Sequence, residues 1–480
     1  MRSPRSSRAA TALALVAVVA WLAAPAGAAG SASFDRESAR LSTALATGVT
    51  HAGFDDLVDF SNIIDGVAQP AAYLPNVDVA LIELNAKGAV VGAANVLYDR
   101  DHPNGYIVQI PRSSLLPTGV TFARWRTSRW DDQALWDAGP APEDVVHAPP
   151  GAVESYMIAY PASVLKDMVA FTILRMVDDG TLALSTPVTF HNVRGDTCGA
   201  APSNPTGVRP APKADGATDT VAGWMDQMIT VSDNFATCVL LQAIYDRGRL
   251  EEANAYFGAI GLPTLRMWPS QPWVGSGWSS GTMVMGAFDT AKLSLIASGA
   301  PGTLWTTPGG RKVTASELSA SSRAYWRELH GQQSFNEVLN PVNLCGSTDA
   351  VQGIPSTVSE RWMDPATGHV VTYDGDLVID FGYDVRPCTA AAEVTFGHKT
   401  GLTYNAGGDA GIVQALPGQD GRWYIVATLT NVGNRFGDAD HATSSPDACV
   451  GAPYVCYPRA FGRLGASVDT AVEVRPPSVR

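Results

Sequence analysis

At 480 residues the chain could hold roughly two to four average domains, or one large α/β domain with insertions. Hydrophobic residues make up 46% and charged residues 16%, so burying a large core presents no difficulty. The formal net charge of −13 argues against nucleic acid and anionic membrane surfaces as partners.

The first 28 residues read as an export signal. Arg2, Arg5 and Arg8 form a basic n-region, "ALALVAVVAWLAA" an apolar h-region, and Ala26-Gly27-Ala28 a small-residue cleavage site. The expectation is a secreted protein, cut after Ala28, with no membrane attachment once the signal is gone. No cysteine follows the h-region and no arginine pair precedes it, which argues against a lipoprotein and against twin-arginine export. After the signal no run is long and apolar enough to span a bilayer. The domain expected is one unit over 29–480, with insertions near 101–150, 192–218 and 300–390.

An oxidising compartment and six cysteines predict disulfides. Proximity along the chain would pair Cys198 with Cys238, Cys345 with Cys388 and Cys449 with Cys456. There is no CxxC and no histidine pair at ligand spacing, so neither a metal nor an organic cofactor is expected.

In chain order, "ESARLSTALATG" has helical periodicity, and residues 76–99 read as two strands around a turn near Lys87-Gly88. Residues 101–150 are mixed and look inserted. A helix opens near Ser163, is apolar on nearly all sides and so is expected to be central, and stops at Gly180. Residues 192–218 are loop-like, and a helical stretch with an internal polar break follows at 220–248. Residues 266–281 again read as loop, and "TMVMGAFDTAKLSLIASG" as a helix with a glycine stop. Residues 300–390 read as long and irregular. The strands "EVTFGHKTG", "DAGIVQAL" and "RWYIVATLTNVG" then form a meander, and "PRAFGRLGASVDTAVEV" a last helix.

Three short motifs carry chemistry. Ser163 and Lys166 stand three apart at a helix start, where residues i and i+3 share a face. A lysine there can take the proton of a neighbouring hydroxyl when it is neutral. The bland alternative is a capping serine and a snorkelling lysine. Yet the chain has only six lysines, and one kept in an apolar helix is costly unless used. The second motif is Ser232-Asp233-Asn234, between two apolar helical runs; blandly, it is an N-cap. The third is Lys399-Thr400-Gly401, at the end of a strand; blandly, it is a turn in which Gly401 supplies a positive φ.

Ser-x-x-Lys, then Ser-Asp-Asn, then Lys-Thr-Gly is the order found in penicillin-recognising serine enzymes. On these residues the chain resembles the class A β-lactamase-type serine hydrolases, relatives of D,D-peptidases. The segments "DDGTLALSTPVTF", "GTMVMGAFDTAKL" and "GIPSTVSERW" are similar to the family as well. The resemblance implies an α/β (α+β) fold: a five-stranded antiparallel sheet plus a helical region, with the active site between them.

It also implies roles. Ser163 would be the nucleophile and Lys166 its base. Ser232 would relay a proton to the leaving nitrogen, with Lys399 beside it. Asn234 would bind the substrate's side-chain amide, Lys399 and Thr400 its carboxylate. Gly401 would let the strand approach closely, and the backbone N–H groups of Ser163 and Leu402 would form the oxyanion hole. The partner is a small-molecule substrate, and the expected state is a monomer.

One departure stands out. Class A enzymes place a deacylating glutamate in a loop that should fall here at 266–281, "RMWPSQPWVGSGWSSG", which holds no carboxylate. Glu251, Glu252 and Asp289 are the nearest, all outside it. The sequence therefore leaves open a β-lactam hydrolase, a D,D-peptidase or esterase, a β-lactam-binding protein that acylates without fast turnover, and a bare scaffold.

Overall fold

The computed structural model describes residues 26–191, 215–267, 282–336, 338–346, 353–374, 377–419, 421–437 and 455–473. The expected signal lies outside them up to residue 25, as do Cys198, Cys449 and residues 268–281 of the loop. The longer helices are α1 (Ala26–His51), α2 (Lys166–Asp178), α3 (Val221–Thr230), α4 (Asn234–Asp246), α5 (Leu250–Ala259), α6 (Ala287–Ser298), α7 (Ala320–His330) and α8 (Tyr457–Glu473). None of the described helices is long and apolar enough to cross a membrane.

The main sheet is antiparallel and is built from both ends of the chain. It contains β1 (Val77–Leu84), β2 (Val90–Tyr98), β3 (Tyr106–Ile107), β4 (Val394–Thr403), β5 (Ala406–Ala415) and β6 (Trp423–Thr430). Their spatial order is β4-β5-β6-β1-β2-β3, so the N-terminal and C-terminal strands meet at β6–β1, with Ala427 opposite Ala80. The mixed α/β class is as expected. The sheet has six strands rather than five because β3, two residues long, is too short to leave a periodicity in the sequence.

Strand periodicity explains the layering. Ala80, Ile82 and Leu84 point into one core, Val77, Val79 and Leu81 into the other. On the second face α1 contributes Leu41, Leu45 and Val49, and α8 contributes Phe461, Leu464 and Val468. The first face meets the helical region. There α2 is central: Met168, Val169, Phe171, Ile173 and Leu174 are fully buried, so an all-round apolar helix is what its position requires. Gly180, at φ +79°, ends it, and its N–H reaches Val177 O at 3.2 Å.

Residues 101–158 add a second small sheet. Val120–Arg124 lies between Val145–His147 and Glu154–Ile158, and it is parallel to the last, which leads directly into the Ser163 turn. The 300–390 section is not wholly irregular. It holds α7, whose N-cap Ser319 accepts from Ser322 N at 3.1 Å and whose Trp326 and Leu329 are buried. Two short hairpins flank it, Thr303–Thr306 with Lys312–Thr314 and Val371–Asp374 with Leu377–Asp380. Cys345 is bonded to Cys388 as sequence proximity suggested. Cys238 and Cys456 are also in disulfides.

Candidate active site

The chain reaches Ser163 through a short 3-10 turn, Ala162–Leu165, that runs straight into α2. Ala162 is held at φ +48°, a left-handed conformation that costs a non-glycine residue on the order of 1–3 kcal/mol. The turn puts Ser163 half-exposed at the mouth of the helix, while Lys166, one turn on, is fully buried.

Lys166 Nζ is 2.8 Å from Ser163 Oγ, 3.0 Å from Ser232 Oγ, 2.6 Å from Ser232 O and 2.9 Å from Asn234 Oδ1. The second motif is a bend between α3 and α4. Ser232 has φ +58°, and Asp233 caps α4 by accepting from Ala236 N at 2.8 Å. The bland N-cap reading therefore holds for Asp233, and that capped bend is what turns Ser232 and Asn234 toward Lys166.

The third motif comes from the opposite side, on the edge strand β4. Lys399 Nζ donates to Ser232 Oγ at 3.0 Å and to Thr400 O at 2.8 Å. Ser232 Oγ thus sits between two lysines, which gives the order Ser163 Oγ, Lys166 Nζ, Ser232 Oγ, Lys399 Nζ. Gly401 is not at a turn: β4 continues to Thr403, paired Gly401 to Gly408 in β5, and Gly401 has no positive φ. A Cβ at 401 would lie 2.8 Å from Pro161 O, 2.8 Å from Ser163 N and 2.9 Å from Val164 N. Glycine is needed because β4 packs directly on the backbone of the nucleophile turn. Leu402, next along, is half-buried.

All eight residues singled out in the sequence therefore lie on the turn, bend and strand edge that converge here. Lys166, Lys399 and Thr400 are buried, whereas Ser163, Ser232 and Asn234 remain accessible.

Three further groups escaped the sequence reading. Asp167, beside Lys166, is fully buried, and its Oδ1 lies 2.9 Å from His330 Nε2 at the end of α7. Burial pushes its carboxyl pKa up, and His330 opposes that shift. Gln333 is buried against Lys399 and Thr400, with its Oε1 at 3.4 and 3.2 Å. His398 pairs with Asp409 at 2.7 Å and Asn336 at 2.9 Å, fixing the strand just before Lys399. Among the described residues no group of three or more His, Cys, Asp or Glu is arranged to hold a metal ion.

Residues 153–362 match the sequence model of the β-lactamase enzyme family. The match covers 210 of the chain's 480 residues. The span carries the Ser163 and Ser232 motifs and ends before Lys399. Among solved structures the chain is similar to PBP-A, at 17% identity over 83% of this chain and 91% of that one, with a TM-score of 0.42. A class A β-lactamase from Bacteroides cellulosilyticus DSM 14838 is similar at 14% identity over 84% and 93%, TM-score 0.41. A β-lactamase from Sphaerobacter thermophilus DSM 20745 follows at 16% over 66% and 84%, TM-score 0.38. No curated protein matches the chain.

Proposed function

We propose that this protein is a serine hydrolase that opens a strained or activated amide through an acyl-enzyme on Ser163, with β-lactams as the substrate class. One observation carries the reading: Lys166 Nζ stands 2.8 Å from Ser163 Oγ, within reach of the proton that must leave. In the reacting form Lys166 is neutral and accepts that proton as Oγ bonds to the carbonyl carbon. Ser232 Oγ, 3.0 Å from Lys166 and 3.0 Å from Lys399, then passes a proton to the departing nitrogen as the C–N bond breaks. The Ser163 N–H, kept uncovered by Gly401, is one oxyanion donor, and Leu402 N–H is the other. Lys399 and Thr400 take the substrate carboxylate, and Asn234 its side-chain amide.

Release of the acyl group is a separate matter. Residues 268–281 contain no aspartate or glutamate, so a deacylating carboxylate is not supplied from that loop. This favours a second reading on the same site: acylation followed by slow turnover, as in a penicillin-binding protein, or preference for a peptide or ester acyl donor. We further propose that the protein works outside the cytoplasm, which the N-terminal export pattern and the Cys345–Cys388 disulfide support.

Intact-protein mass spectrometry with a chromogenic cephalosporin tests the proposal. Colour change with little adduct would mean a β-lactamase with an unrecognised deacylating group. A lasting adduct on Ser163 would mean the slow-turnover enzyme. Neither adduct nor colour would sink the β-lactam reading.

A further inference from the structure

The segment that leaves α7, "HGQQSFN" at 330–336, meets the flank of every motif in turn. His330 pairs with Asp167 beside Lys166; Gln333 reaches Lys399 and Thr400; Ser334 N and Oγ both donate to Thr230 O, two residues before Ser232; Asn336 pairs with His398 beside Lys399. Such a segment couples the helical side of the cleft to the sheet side, and Gln333 is the member that touches site residues directly.

Gln333 is 3% exposed. Its Nε2 donates to Ile229 O, near the end of α3, and its Oε1 accepts from Lys399 Nζ at 3.4 Å and from Thr400 Oγ1 at 3.2 Å. The amide can sit only this way round, because two donors face its oxygen and a carbonyl faces its nitrogen. The helical side, through Ile229, therefore fixes where the ammonium and hydroxyl of the sheet side stand. The acceptor is a neutral amide. A carboxylate of the same shape would keep the contacts to Lys399 and Thr400, would lose the donor to Ile229 O, and would add a negative charge against both groups, where an anionic ligand would then meet repulsion.

We propose that Gln333 is a positioning residue that sets specificity for a carboxylate on the substrate. It holds the Lys399 and Thr400 donors in place while leaving that corner of the site without added negative charge. This rests on the acyl-transfer reading of the site. Gln333 acts through Lys399 and Thr400 and touches no reacting atom.

The test is calorimetric binding of benzylpenicillin and of its methyl ester to the Ser163→Ala protein, alone and combined with Gln333→Glu or Gln333→Met. The parent should bind the acid more tightly than the ester. Gln333→Glu should weaken the acid by about tenfold or more and leave the ester within about threefold. Gln333→Met, which keeps the size and adds no charge, should weaken the acid by about three- to tenfold, because the acceptor that holds Lys399 and Thr400 is lost, again sparing the ester. Should Gln333→Glu fail to fold, the methionine variant decides by itself. Parallel losses for acid and ester would reveal a purely structural role and overturn the inference. So would an unchanged acid-to-ester ratio, or a parent that binds neither compound. Acylation of the wild-type protein is read separately by mass, so failure of the acyl-transfer reading and failure of this inference fall on different measurements.

Discussion

Lys166 Nζ lies 2.8 Å from Ser163 Oγ, with the lysine fully buried and the serine half-exposed. A substrate can reach the nucleophile but not its base, so substitutions at the two positions should separate cleanly. Ser163→Ala should abolish any adduct with a β-lactam. Lys166→Ala should slow adduct formation by about 10²–10⁴-fold while the adduct, once formed, still maps to Ser163. Time-resolved intact mass with peptide mapping measures both. An adduct on the Ser163→Ala protein would remove this residue from the mechanism.

Gly401 offers a sharper geometric test. An alanine there would push a methyl group to 2.8 Å from Pro161 O and Ser163 N, both backbone atoms that cannot swing aside. The strand or the turn must shift, at a cost of about 1–3 kcal/mol. Gly401→Ala should therefore lower the thermal midpoint by several degrees, and it should cut acylation by much more than that loss of stability explains. A variant acylated at the wild-type rate would show that the Ser163 N–H plays no part as an oxyanion donor.

How far the sequence discloses this site depends on what each residue leaves in the linear pattern. The Ser163, Ser232 and Lys399 motifs are legible because each is a short polar group set against an apolar run. The strands β1, β2, β4, β5 and β6 are legible as short apolar runs separated by polar turns. Gln333 and His330 leave no such mark. They stand in a polar stretch, "HGQQSFN", whose side chains are buried only because distant elements close around them. The α7 helix was equally hidden. Its large apolar residues are only Tyr325, Trp326 and Leu329, set among serines and charges, and the other evidence for it is the N-cap Ser319. Gly401 misleads in the opposite direction: a glycine after Lys-Thr suggests a turn, whereas the structure uses it for close packing within a strand.

A buried carboxylate makes the fold's pH dependence predictable. Asp78 in β1 is 1% exposed and accepts from Ala287 N at the start of α6 and from Asn95 Nδ2. Burial pushes its pKa up from 3.8 to about 6, with the nearby Asp289 adding to the rise and the two hydrogen bonds opposing it. The folded chain thus keeps a proton that the unfolded chain has lost between pH 3.8 and about 6. The contribution of this group to stability falls as pH rises through that window and is level above it, by about 3 kcal/mol in all. Asp78→Asn removes the titration. Urea unfolding of both proteins from pH 4 to 8 should show the variant gaining on the wild type as pH rises, up to about pH 6. A constant difference across the range would show that Asp78 is not the titrating group.

The Cys345–Cys388 disulfide closes 43 residues between the end of the Gln333 segment and the approach to β4. Closing a loop of that length restricts the unfolded chain, and the chain-entropy argument sets the gain at about 4 kcal/mol. Measured effects commonly fall below that, so replacing both cysteines by alanine should reduce the free energy of unfolding by about 2–4 kcal/mol. The site should feel much less. Lys399 and Gly401 are held by ten paired positions between β4 and β5, and Gln333 by its bond to Ile229, none of which the disulfide supplies. Adduct formation by the double variant at a temperature well below its midpoint should stay within about threefold of wild type, since less than about 0.7 kcal/mol of barrier would change. A large loss of acylation in a protein that is still fully folded would mean that the crosslink, and not the sheet, sets the position of β4 against Ser163.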